Sequence, residues 1–100
     1  MSPEGVKTQS DFGASLAQLM REQGVSYRML ASRTSLSAGY LNHLVHGNRP
    51  VPSNAVIERI AAALGVPPAR FREYRLRVVT DRLAELPDLV DRLYREIQDG

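Results

Sequence analysis

Residues 26–52, SYRMLASRTSLSAGYLNHLVHGNRPVP, decide how the rest of the chain is read. They predict two short helices joined by a tight turn. Ser26 and Ser37 stand where a hydroxyl can accept a bond from an otherwise orphan N–H of the helix that follows. Leu30, Ala31, Leu36, Leu41 and Leu44 are spaced so that two crossing helices bury them at a single contact, with Ala31 small where the backbones converge. Gly47 stops the second helix. Asn48-Arg49-Pro50 then forms a loop, and Pro52 leads to a new cap at Ser53.

Two such helices are the pattern of a DNA-binding helix-turn-helix. With a helix before and one after, the stretch resembles the lambda-repressor-like (Cro/CI-type, XRE) helix-turn-helix family. The resemblance rests on LMREQGVS (residues 19–26), Leu30-Ala31, SAGYLNHLVHGNRPVPS (37–53) and IAAALGV (60–66), in that order and spacing. It implies an all-α protein: a five-helix domain over residues 10–71, with a C-terminal helical extension over 72–100.

Periodicity outside the motif agrees with that architecture. Phe12, Leu16, Leu19 and Met20 share one face of a helix from about Asp11 to Gln23, capped by Ser10 or Asp11 and stopped at Gly24. Ile57, Ile60, Ala61 and Leu64 form the inward stripe of a helix over 54–64. Pro67 and Pro68 suit the start of a fifth helix, and Phe71 closes the core from beneath. Beyond it, Phe71, Tyr74 and Val78 make one apolar stripe, while Leu76, Val79, Leu83 and Leu86 make a second, rotated from the first. Pro87 breaks the helix. Asp88 and Asp91 then suit the first turn of a sixth helix bearing Leu89, Val90, Leu93, Tyr94 and Ile97. A small domain needs one stripe to close its own core, so Leu76, Val79, Leu83, Leu86, Val90, Leu93 and Ile97 are the expected homodimer interface. Residues 1–9, polar and aperiodic, are expected to be a disordered leader.

One hundred residues suffice for one domain with its own core. The chain has no Cys, which excludes disulfides and thiolate metal sites. No apolar run marks a signal peptide or a membrane span, so a soluble, cytoplasmic protein is expected. Net charge is only +2, but its distribution is uneven. No acidic residue lies between Glu22 and Glu58, an interval that carries Arg28, Arg33, Arg49, His43 and His46. A basic face on an otherwise balanced chain is the footprint of phosphate contact. Residues 67–100 hold seven Arg and seven acidic residues, a balance that suits self-association better than DNA.

The family resemblance implies that the second helix of the motif enters the major groove. By position, Ala38, Gly39, Tyr40, Asn42 and His43 then face the bases. Asn42 can make a paired donor–acceptor contact to adenine, His43 can donate to guanine, and Ala38 can meet a thymine methyl. Gly39, which costs up to about 1 kcal/mol inside a helix, lets the helix sit close. Tyr27, Arg28, Ser37, His46, Asn48 and Arg49 are the candidates for holding phosphates, which fix register rather than sequence. Arg33 reads as a solvated side chain. His43 and His46 lack a third metal ligand, and no nucleophile–base pair is visible, so no cofactor, metal or catalysis is expected.

Two positions depart from the family pattern. Ser35 stands in the turn where glycine is usual; it is strained if left-handed, or else the turn differs and alters the angle between the helices. Met20 and Val45 replace an Arg–Glu ion pair, which predicts an apolar contact between the first helix and the recognition helix, with Arg21 facing outward. The expected function is a sequence-specific regulator of transcription, foremost a repressor binding a palindromic operator as a dimer. The alternatives are an antitoxin that binds a toxin and its own operator, or a protein-interaction module that no longer binds DNA.

Overall fold

The computed structural model describes residues 10–100, so the expected leader lies outside the described residues. Six α-helices follow one another: α1 (Ser10–Gln23), α2 (Tyr27–Thr34), α3 (Ala38–Val45), α4 (Asn54–Ala63), α5 (Arg72–Leu83) and α6 (Pro87–Asp99). No strand occurs among the described residues. The side chains of Ser10 and Asp11, the expected caps of α1, are likewise outside the described part.

The core is built by the stripes that periodicity singles out. Phe12, Leu16, Leu19 and Met20 of α1 are buried with Val25, Leu30, Leu41, Leu44, Ile57, Ile60, Ala61 and Leu64. Phe71 is fully buried and its ring lies 4.8 Å from that of Phe12, tilted by 42°. At this separation tilted aromatic rings add to plain burial. The end of α4 is pinned from two sides. Gln23 Nε2 donates to the Leu64 carbonyl at 2.8 Å, and Arg33 Nη1 donates to that of Ala63 at 3.4 Å.

A close approach of α1 to α3 at Gly13 is not anticipated from the sequence. A Cβ on Gly13 would lie 2.5 Å from the Val45 carbonyl oxygen and 2.7 Å from that of Leu44. Helix α1 therefore crosses the C-terminal end of α3 with no room for a side chain. Gly13 sets the height at which α3 sits on the core.

The fifth helix begins later than expected. Pro68–Arg70 is a single 3-10 turn, Phe71 is extended (φ −92, ψ 127), and α5 opens at Arg72. The break swings the Phe71 ring into the core, and a helix running straight through from Pro67 would carry that position elsewhere. Pro68 also disfavours helical backbone at Pro67. Helix α4 ends one residue before the expected boundary, within ordinary fraying.

Helix α6 packs chiefly against α5. Leu83, Leu86, Leu89 and Leu93 are half-buried, but Leu76, Val79, Val90, Tyr94 and Ile97 stay exposed, Ile97 at 74%. The chain measures 48 × 33 × 21 Å with a radius of gyration of 16.2 Å, against about 13 Å for a compact domain of this length. Helices α5 and α6 form an arm with an uncovered apolar face.

Candidate nucleic-acid interface

Three serine caps and one strained residue shape the interface. Ser26 Oγ accepts from the Met29 N–H at 3.1 Å and starts α2. Ser37 Oγ accepts from the Tyr40 N–H at 3.0 Å and starts α3. Ser53 does the same for α4 through the Val56 N–H at 3.3 Å. Between α2 and α3, Ser35 adopts φ 64, ψ 21, the left-handed conformation that glycine tolerates best. Its N–H reaches the Ala31 carbonyl at 2.9 Å.

The turn is held from inside by Thr34, a residue sequence reading passed over. Thr34 is buried; its hydroxyl donates to the Leu30 carbonyl at 2.8 Å and accepts from the Leu36 N–H at 3.2 Å. A guanidinium N–H of Arg59 on α4 donates to the Thr34 carbonyl. The buried hydroxyl is satisfied on both sides and ties the end of α2 to the turn. Helix α3 ends in a glycine-capped turn. Gly47 (φ 73) directs its N–H to Leu44, and the Asn48 N–H returns to the His43 carbonyl at 2.9 Å.

With Leu41 and Leu44 inside, α3 turns a continuous face outward. Ala38, Gly39, Asn42 and His43 are all exposed on it. Nothing lies within 4 Å of a Cβ built on Gly39, so the protein itself does not require glycine there. Tyr40 differs from the other four, being half-buried and packed against the core. Asn48 Nδ2 stands 3.5 Å from His43 Nδ1. In that arrangement the amide donates to Nδ1, and a neutral His43 ring carries its proton on Nε2.

The six phosphate candidates fall around this face. Arg28, Ser37, His46, Asn48 and Arg49 are exposed and Tyr27 is half-buried. Tyr27 and His46 share a groove of about 590 Å³ with Met20, Arg21, Ser26 and Val45. The residues that replace the family's ion pair thus line one groove where α1, the start of α2 and the end of α3 meet. Arg21 is exposed, as expected, and also borders that groove beside Tyr27 and His46. The cue was available: only three residues separate α1 from α2, so the last turn of α1 must abut Tyr27. His46 Nδ1 lies 2.9 Å from the Asn42 carbonyl, which can only accept, so Nδ1 holds a proton. A phosphate oxygen then finds a donor on Nε2 only when the ring is protonated.

Among the described residues no group of His or acidic side chains could hold a metal ion, and no helix is long and apolar enough to cross a membrane.

Residues 11–74 match the family model described as a helix-turn-helix domain. The chain belongs to the helix-turn-helix family. Solved structures place it among the lambda-repressor-like regulators of that family. It is similar to the restriction-modification controller protein C.AhdI from Aeromonas hydrophila, at 30% identity over 63% of this chain and 94% of that one, with a TM-score of 0.59. It is also similar to the clp gene regulator ClgR from Corynebacterium glutamicum, at 26% identity over 82% of this chain and 92% of that one, with a TM-score of 0.58. A helix-turn-helix transcriptional regulator from Vibrio cholerae matches at 25% identity and a TM-score of 0.59, over 63% of this chain but 35% of its own. Among curated proteins no sequence matches significantly. By name these neighbours are a controller protein, a transcriptional regulator and a gene regulator, not enzymes.

Proposed function

We propose that this helix-turn-helix protein is a sequence-specific double-stranded DNA-binding repressor that occupies a palindromic operator as a homodimer. The observation that carries the reading is the outer face of α3. Ala38, Gly39, Asn42 and His43 stand exposed together on a helix whose other side is locked into the core. The interval around them has no acidic residue. Asn42 and His43 read adenine and guanine edges, and Ala38 meets a thymine methyl. Tyr40 supports the helix more than it reads. Tyr27, Arg28, Ser37, His46, Asn48 and Arg49 hold phosphates on either side.

The dimer rests on the arm. Leu76, Val79, Val90 and Ile97 are exposed along α5 and α6, while Leu83, Leu86 and Leu93 are half spent on the contact between the two helices. Two such arms packed face to face make a four-helix arrangement that covers both stripes, and the balanced charge of residues 67–100 opposes no such pairing. Two-fold pairing doubles the contacts of a module too small to bind tightly alone, and half-site spacing then mirrors the protein's symmetry.

Titration of a fluorescent duplex at several salt concentrations tests the reading. Affinity should fall linearly on a log–log plot as counterions are released. Absence of duplex binding at low salt would leave an interaction module as the function instead.

A further inference from the structure

We infer that Arg77 is a positioning residue for DNA binding, holding the C-terminal end of the loop that carries Arg49. The inference rests on the DNA-binding reading above. Between the end of α3 at Val45 and the start of α4 at Asn54, the chain has no helix to hold its backbone. Arg77, on α5, supplies the missing partner. Its Nη1 donates to the Pro52 carbonyl at 2.6 Å and to Asn54 Oδ1 at 3.0 Å, and its Nη2 donates to the Val51 carbonyl at 3.4 Å. One planar fork therefore straps three acceptors within four residues, a geometry that a lysine ammonium cannot reproduce.

The strap is anchored at its own end. Phe71 is buried at the foot of α5, and the Tyr74 hydroxyl donates to Glu58 Oε2 on α4 at 2.7 Å. Arg77 follows three residues later, on the next turn, and is half-buried. Pro52 is buried at the far end of the loop, and the Asn48 N–H is fixed to α3 at the near end. Arg49 lies between these two fixed points, exposed. With Arg77 in place, the loop is fastened at both ends and Arg49 meets a phosphate already ordered. Without it, the Val51 and Pro52 carbonyls turn to water and ordering falls to the binding step. The same bonds join the α5–α6 arm to the DNA-contacting edge, so whatever seats α5 also seats Arg49.

A double-mutant cycle tests this on the full chain, using a fluorescein-labelled mixed-sequence duplex at low salt. R77A should weaken binding roughly two- to thirtyfold, the range over which coupling residues act, and lower the salt slope as R49A does. Added to R49A, it should change little, because the contact it positions is already gone. R77K should lose less than R77A. Equal losses from R77A in the Arg49 and R49A backgrounds would overturn the inference, since they mean that Arg77 acts on DNA by itself; so would parent-like binding by R77A. If R77A melts below the assay temperature, R77K carries the same cycle with a smaller loss and the same non-additivity. A second readout needs no DNA. Backbone 15N relaxation should report greater mobility at Asn48, Arg49 and Val51 in R77A, with α1 and α4 unchanged, and an unchanged loop would refute the strap. If the parent binds no duplex, the DNA-binding reading fails, and relaxation alone decides the role of Arg77.

Discussion

Replacing Gly13 by alanine probes the contact that seats the recognition helix. The new Cβ would stand 2.5 Å from the Val45 carbonyl oxygen, whereas ordinary contact begins at 3.4 Å, so α1 and α3 must part by 0.9 Å. The three atoms it meets are all backbone, and no rotamer change relieves the overlap. Overfilling a packed core costs about 1–3 kcal/mol, and backbone against backbone belongs at the upper end. Alanine returns up to about 1 kcal/mol through its better helix propensity. The net expectation is a loss of about 2 kcal/mol, or roughly 8–16 °C in Tm for a domain of this size. Thermal denaturation followed by circular dichroism measures it. DNA affinity should also fall at temperatures where the variant is fully folded, because the far end of α3 has moved. A Gly13→Ala protein that melts at or above the parent would refute the close crossing and the role given to Gly13.

Three further outcomes follow from particular residues. Ser35→Gly relieves the left-handed backbone at φ 64 and should stabilise the protein by about 1 kcal/mol, seen as a Tm higher by a few degrees; an unchanged or lower Tm counts against strain in the turn. Leu76→Glu on the exposed stripe should convert a dimer to a monomer in light scattering while the melting cooperativity of the core persists, and a parent already monomeric at high concentration contradicts the dimer. The Tyr74 hydroxyl is held protonated above its ordinary value of 10.0, first by its bond to Glu58, then by desolvation and the Glu58 charge. The stabilisation from that bond is present below the ordinary tyrosine value and is lost as pH rises through the higher folded one. Ultraviolet titration should therefore lose its latest tyrosine component in Tyr74→Phe, and a late component that survives would assign it elsewhere.

Much of the fold was legible because its signals are local. Ser26, Ser37 and Ser53 cap helices where sequence put them, since a cap needs only a hydroxyl and the three residues that follow. The buried stripes of α1 and α4 repeat at helical spacing, and of the two turns that Ser35 left open the structure takes the left-handed one. Contacts between distant segments were not legible. Gly13 resembles any helical glycine until Val45 is placed above it. Thr34 reads as a polar surface residue until α4 brings Arg59 to its carbonyl. Arg77 reads as one solvated charge among seven until the arm folds over Val51 and Pro52. The start of α5 was misplaced because two prolines suit a 3-10 turn as well as a helix, and only the burial of Phe71 decides between them. In the candidate interface, exposure of Ala38, Gly39, Asn42 and His43 follows from helical spacing, whereas the packing of Tyr40 against the core and the groove that Arg21 shares with Tyr27 depend on contacts between elements.

Selection of bound duplexes from a random pool, run in parallel on the parent and on Asn42→Ala, tests the central claim most directly. The parent should enrich two symmetric half-sites, with an adenine where Asn42 makes its paired contact. Asn42→Ala should bind that site about 1–3 kcal/mol more weakly and lose preference at that one position while keeping the rest. The same enriched sequence from both proteins, or no enriched sequence from the parent, would contradict the assignment of α3 as the helix that reads DNA.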